Sequence, residues 1–149
     1  MVILKFNFMK SKYIFIVLWI AFVVSVILKI WDVPGSYLCS LISGGALMVM
    51  YFFLMPKVLE VPKKYKKITN IYIAGIIWGY SMTALIFILN SYPGASIITL
   101  LSIILLTALI IYTLSVRNNF INRKIFSRVI AQSLLFHFII SFLFFAIFY

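Results

Sequence analysis

Five long apolar runs, separated by short polar breaks, set the pattern of this chain. They predict helices over about Tyr13–Ile30, Gly35–Met55, Ile68–Leu89, Ala95–Val116 and Arg128–Tyr149. Each run is about 18–22 residues, enough at 1.5 Å per residue to cross a hydrocarbon layer of roughly 30 Å. The runs are continuous, whereas a transmembrane β-barrel alternates in and out over about ten residues per strand. One transmembrane domain over 1–149 follows: a hairpin at 13–55, a basic connector at 56–67, a second hairpin at 68–116, a connector at 117–127 and a fifth helix at 128–149. Pro56 has no backbone N–H and is expected to stop the second helix.

The breaks are of two kinds. Two are tight turns, Lys29-Ile30-Trp31-Asp32-Val33-Pro34-Gly35-Ser36 and Asn90-Ser91-Tyr92-Pro93-Gly94-Ala95, whose Pro-Gly pairs lie 59 residues apart. Proline presets φ for the first turn of the helix that follows, and glycine relaxes the steric limits at the bend. A shift of 59 residues aligns Tyr13–Met55 with Tyr72–Leu114 without a gap. It sets Tyr13 on Tyr72, Trp19 on Trp78, Pro34-Gly35 on Pro93-Gly94 and Ser43 on Ser102. This reads as a duplicated hairpin, the alternative being two unrelated hairpins that each need a tight bend. Both halves start on the same side, so a duplication is a parallel repeat about an axis along the membrane normal.

The remaining breaks are basic. Lys and Arg number three before the first helix, then one, five, none, four and none in successive connections. By the positive-inside rule the N-terminus is cytoplasmic and the C-terminus outside. Lys29 and Asp32 are the only charges on the outer side and cancel, which leaves the whole +11 on the cytoplasmic side. Trp31, Tyr37 and Tyr92 are expected at the outer boundary, and Tyr13, Tyr51, Tyr65, Tyr72 and Tyr112 near the inner one.

Composition agrees with the bilayer as solvent: 66% of residues are hydrophobic and 10% charged, against about 25% charged in soluble domains. The basic residues are divided among connectors, so their polyanion is the membrane surface and not nucleic acid. Lys57, Lys63, Lys64, Lys66 and Lys67 are candidates for anionic lipid, at roughly 1 kcal/mol each near the surface, and equally serve as topology signals. Lys5, Lys10 and Lys12 ahead of an apolar run resemble a signal peptide, but no small-residue cleavage site follows, and Leu38 before Cys39 does not fit a lipoprotein. The run is read as a retained helix, with Met9 an alternative start to Met1. Cys39 is the single cysteine, so no intrachain disulfide forms.

The run Leu28-Lys29-Ile30-x-x-x-Pro34-Gly35-Ser36 between two apolar helices resembles the N-terminal hairpin of the GldL-like membrane proteins of Bacteroidota gliding motility and type 9 secretion. Their turn typically reads Lys-Ile-Met-His-Trp-Pro-Gly-Ala. Lys29, Ile30, Pro34 and Gly35 match; Asp32 stands at the family's histidine and Trp31 at its methionine. Tyr92-Pro93-Gly94-Ala95 matches only the end. The resemblance implies a hairpin fold in a bacterial inner membrane. The family's motor role depends on a buried glutamate in the following helix, and no acid occurs here between Pro34 and Pro56.

Candidate chemistry is sparse. Asp32 and Glu60 are the only acids, both in connectors, so ion-coupled transport, carboxylate catalysis and metal binding lack their usual groups. Ser133, His137 and Ser141, at i, i+4 and i+8, form one polar stripe with Gln132 beside it. It is read either as a proton-sensitive or ligand-binding site or as an imidazole hydrogen-bonded across a helix interface. Lys29 and Asp32, at i and i+3, are placed to pair, or else lysine snorkels and aspartate serves the turn. Gly75, Gly79 and Thr83, and Ser36, Ser40 and Gly44, form two small-residue stripes for close helix packing. No phosphate-binding loop, nucleophile elbow or CxxC occurs.

The expectation is a five-helix membrane protein with no enzymatic activity and no cofactor, acting as a subunit or scaffold with another membrane protein or with its own copies. A small oligomeric transporter or channel, and an immunity protein against a pore-forming toxin, are the alternatives. The topology has a direct test. In a Cys39→Ser background, Trp31→Cys and Ser91→Cys are expected to react with a membrane-impermeant maleimide on intact cells, and Lys57→Cys only after permeabilisation.

Overall fold

The computed structural model describes residues 2–59, 61, 69–116 and 123–149, with the backbone alone for 2–12 and 124. Five helices follow in order: α1 Val2–Ile30, α2 Ser36–Val58, α3 Thr69–Leu89, α4 Ala95–Ser115 and α5 Arg123–Phe148. There is no strand among the described residues, and all five helices are long and apolar enough to cross a membrane.

Helix ends differ from expectation where hydropathy and hydrogen bonding part company. α1 starts eleven residues before Tyr13 and α5 five before Arg128. Neither extension contains Gly or Pro, and Lys, Arg, Phe and Met continue a helix at little cost. Polarity marks where a helix leaves the hydrocarbon, not where its ladder ends. Pro56 lies inside the last turn of α2, which runs on to Val58. The ring removes one donor, and the following amides still close on the helix, Leu59 N to Met55 O and Val61 N to Pro56 O, both at 3.0 Å.

The two turns have one backbone design. Asp32 and Ser91 have φ of 52° and 53°, Gly35 and Gly94 of 84° and 80°. Asp32 N bonds Lys29 O and Val33 N bonds Leu28 O, as Ser91 N bonds Ile88 O and Tyr92 N bonds Phe87 O. Ser36 N to Val33 O and Cys39 N to Gly35 O likewise match Ala95 N to Tyr92 O and Ile98 N to Gly94 O. Each of these pairs is offset by 59 residues. The glycines are the N-caps of α2 and α4 in the left-handed region, so Pro34 and Pro93 precede the helices and do not occupy the first turn as expected. Glycine takes this φ without a Cβ clash.

α3 is the axis of the bundle: 61% of its spanning stretch is buried, against 11% for α1 and 17% for α5. α2 and α4 flank it, α1 lies on α2, and α5 lies against α4 and α3. The expected small-residue stripes fall at these contacts. A Cβ built on Gly75 would sit 2.5 Å from the Tyr51 carbonyl, one on Gly79 3.0 Å from the Phe52 ring, and one on Gly44 2.9 Å from Ile86. Thr83 Oγ1 lies 3.0 Å from Met48 Sδ. Ser36 and Ser40 are buried on the same α2 face as Gly44. On α4 the buried positions Ala95, Thr99, Ser102, Leu106 and Leu109 repeat Ser36, Ser40, Ser43, Leu47 and Met50 of α2 at the 59-residue shift.

Backbone is the obstacle at Gly75, and backbone does not rotate away. Gly75→Ala is therefore expected to destabilise the protein by about 1–3 kcal/mol in detergent unfolding, whereas Gly45→Ala, with nothing within 4 Å of its Cβ, leaves the transition in place.

Candidate functional site

Tyr51 sits four residues from both Leu47 and Met55 on the buried face of α2, fully excluded from the surface. Its ring meets Phe15 of α1, Trp78 of α3 and Phe136 of α5 edge to face, with centroids 5.3, 5.8 and 5.8 Å away. Its hydroxyl accepts the Trp19 indole N–H at 3.1 Å and an N–H of the Gln132 amide at 2.5 Å. One phenol thus joins four helices. Tyr51, expected near the inner boundary, lies seven residues from the end of α2, about 10 Å at 1.5 Å per residue, and is buried among the helices instead of facing lipid. Sequence reasoning passed over it although it continues the Ser40, Gly44, Leu47 face at helical spacing.

The polar stripe of α5 divides between neighbours. Ser133 is fully buried and accepts the Trp78 indole N–H at 3.0 Å. His137 Nε2 lies 3.0 Å from Thr107 Oγ1 of α4, and Ser141 Oγ lies 3.4 Å from His137 Nδ1. Thr107 directs its own hydroxyl proton to the Ile103 carbonyl at 2.8 Å. With that proton committed, the Thr107 oxygen accepts from Nε2–H of a neutral ring and Nδ1 is left to accept from Ser141. His137 and Ser141 stay together, and Ser133 belongs to a different contact. Among the described residues, no group of three His, Cys, Asp or Glu side chains is placed to hold a metal ion.

At the turn end, Lys29 does not pair with Asp32. Its ammonium donates to the Leu89 carbonyl and, at 2.8 Å, to Asn90 Oδ1. Leu89 ends α3, where carbonyls lack helical partners and the dipole is negative, and Asp32 stays exposed in the turn. The Tyr37 and Tyr92 hydroxyls bond to each other there, and that bond, first among its causes, raises the Tyr92 phenol above its ordinary pKa. Pro34, Gly35, Pro93 and Gly94 are exposed and line no pocket described here. At the opposite end Lys57 is exposed on α2; Lys63, Lys64, Lys66 and Lys67 lie outside the described residues. Ser81 and Ser102 join α3 to α4 at 3.0 Å, as do Asn70 and Tyr112. Thr99 Oγ1 is buried without a protein partner.

α1 and α5 meet at Trp19 and Phe136, whose ring centroids are 5.8 Å apart. A groove runs between the helices on both sides of this contact. Toward the connectors it widens into a cavity of about 540 Å³ lined by Phe15, Val58, Arg128 and Gln132 among others. Toward the turns it continues as an apolar cavity of about 300 Å³ against Phe22, Val26, Leu85 and Phe142. Trp19 and Ile139 line both. No sequence signal marked this groove, because its walls are helices from opposite ends of the chain and its floor includes Val58 of α2 and Leu85 of α3.

The chain is a multi-pass α-helical membrane protein by the length and apolarity of its five helices. No family model, curated protein or solved structure matches it.

Removing the Tyr51 hydroxyl strands two half-buried donors. Tyr51→Phe is expected to cost about 1 kcal/mol, within the range for hydrogen bonds between membrane helices. In a double-mutant cycle, Tyr51→Phe with Gln132→Leu costs less than the sum of the two, read from unfolding in mixed detergent micelles.

Proposed function

We propose that this protein is a non-catalytic subunit or scaffold of a complex in a bacterial inner membrane. In this reading its N-terminus is cytoplasmic and both Pro-Gly turns face outward. The observation that carries it is how the intramembrane polar groups are used. Trp19, Gln132 and Tyr51 tie α1, α5 and α2; Trp78 and Ser133 tie α3 to α5; Ser81 and Ser102 tie α3 to α4; His137 and Thr107 tie α5 to α4. Each pair is spent on a separate helix contact. A transport path needs such groups in one file, and acid–base chemistry needs a base within reach of a reacting proton.

The hairpins are a tandem duplication in this reading, supported by matching turn hydrogen bonds and by the shared register of buried positions on α2 and α4. Divergence gave the halves different tasks: the first copy kept Tyr51 as a hub, and the second copy's Trp78 turned to α5. The GldL-like turn fits the same picture of a hairpin module without a motor's buried acid.

The small-residue stripes are occupied inside the chain, which leaves the largely exposed α1 and α5 as the surfaces for association. Phe138, Phe142 and Phe145 are 70%, 63% and 61% exposed along α5. In mild detergent the particle is expected to exceed the mass of one 17.2 kDa chain, with single cysteines at Ile20 or Phe142 forming cross-links to the neighbour. A particle of single-chain mass without cross-links overturns the proposal.

A further inference from the structure

We propose that the α1–α5 groove is a binding site for one anionic phospholipid, its phosphate against Arg128 and one acyl chain laid past Trp19 and Phe136 toward Phe142. The inference rests on the cytoplasmic placement of the connectors given above. Arg128 is half-buried, three residues inside the α5 span Ile125–Phe148, and lines the wider cavity together with Gln132. Gln132 uses one N–H on Tyr51, and its amide has a second N–H and a carbonyl besides, the complement of a headgroup's phosphate and glycerol oxygens. Beyond this polar mouth the lining turns apolar and remains so to Phe142.

Size and charge choose the occupant. Arg128 and Phe142 are fourteen residues apart, about 21 Å of helix, or two thirds of a hydrocarbon core of roughly 30 Å. The two cavities, about 540 and 300 Å³, fall in the range of small-molecule sites. A partner helix, about 10–12 Å across, rests on the rims of such a groove, whereas a single chain follows its floor past the pinch at Trp19. Twelve Lys and Arg against the single acid Glu60 on the connector side favour an anionic headgroup over a zwitterionic one. This site differs from diffuse attraction to the connector lysines, because it holds one lipid at a fixed place beside an indole.

The test uses the full chain in nanodiscs of phosphatidylcholine doped with phosphatidylglycerol or phosphatidylcholine carrying brominated acyl chains. Trp19 is isolated as reporter by Trp31→Phe and Trp78→Phe. Brominated phosphatidylglycerol is expected to quench Trp19 at about fivefold lower mole fraction than brominated phosphatidylcholine, the factor that roughly 1 kcal/mol of charge attraction gives. Arg128→Gln abolishes the preference, Arg128→Lys retains most of it, and Ala131→Trp, tested by native mass spectrometry of the otherwise unaltered chain, removes the single retained lipid by filling the mouth. Equal quenching by both lipids overturns the proposal. So does a preference that survives Arg128→Gln and disappears on neutralising Lys57, Lys63 and Lys64, or a polypeptide cross-linked through Ile16 in place of lipid. A single-chain particle that still prefers the anionic lipid refutes the subunit reading and leaves the site standing.

Discussion

At Gly75 the backbones of α3 and α2 approach until a methyl group would press within 2.5 Å of the Tyr51 carbonyl. That contact decides the positions of the other helices. With no hydrophobic drive between helices in lipid, association depends on close packing and on hydrogen bonds. The approach at Gly75 supplies the first and positions Tyr51 to supply the second. Because Tyr51 leaves α2 at the point of closest contact, its ring is brought among Phe15, Trp78 and Phe136 and its hydroxyl within reach of Trp19 and Gln132. α1 and α5, the most exposed helices, are thereby anchored to the bundle by one oxygen atom.

The same anchor explains why the bundle is asymmetric although its turns are alike. Trp19 and Trp78 occupy corresponding places in the two hairpins, but Trp19 donates to Tyr51 and Trp78 to Ser133 of α5. α4 has Ile110 where α2 has Tyr51, so the second hairpin has no phenol at that position and Trp78 finds its partner on α5. The fifth helix therefore completes the bundle, with Gln132 donating to one hairpin and Ser133 accepting from the other. It meets α1 where Trp19 packs on Phe136, and the groove lies on both sides of that contact.

Much of the fold is legible in the residues. Continuous apolar runs mark the five spans because a bilayer admits only segments that satisfy their own backbone. The Pro-Gly turns announce their left-handed glycines, and Gly75 and Gly79 announce a close contact, since small side chains have no other strong reason to recur at that spacing. Less legible are helix ends outside the hydrocarbon, at Val2 and Arg123, where nothing apolar distinguishes helix from connector. Of the two readings of Lys29, the pairing with Asp32 fails for a similar reason. Asp32 is its neighbour in sequence, but the end of α3, sixty residues away, offers the carbonyl that needs a donor.

What the sequence determined by itself is local or periodic: the number of spans, the bends, the uneven charge of the connectors and the faces of small residues. Each follows from a rule acting within one helix or at one membrane boundary. Only the tertiary structure decided that Tyr51 is a hub, that Ser133 and His137 serve different contacts, and that α1 and α5 leave a groove beside Arg128. Those outcomes depend on which faces meet. In a chain whose helices are apolar all round, hydrophobicity does not rank one face above another. The choice falls to a few close contacts and buried hydrogen bonds, whose partners are not adjacent in sequence.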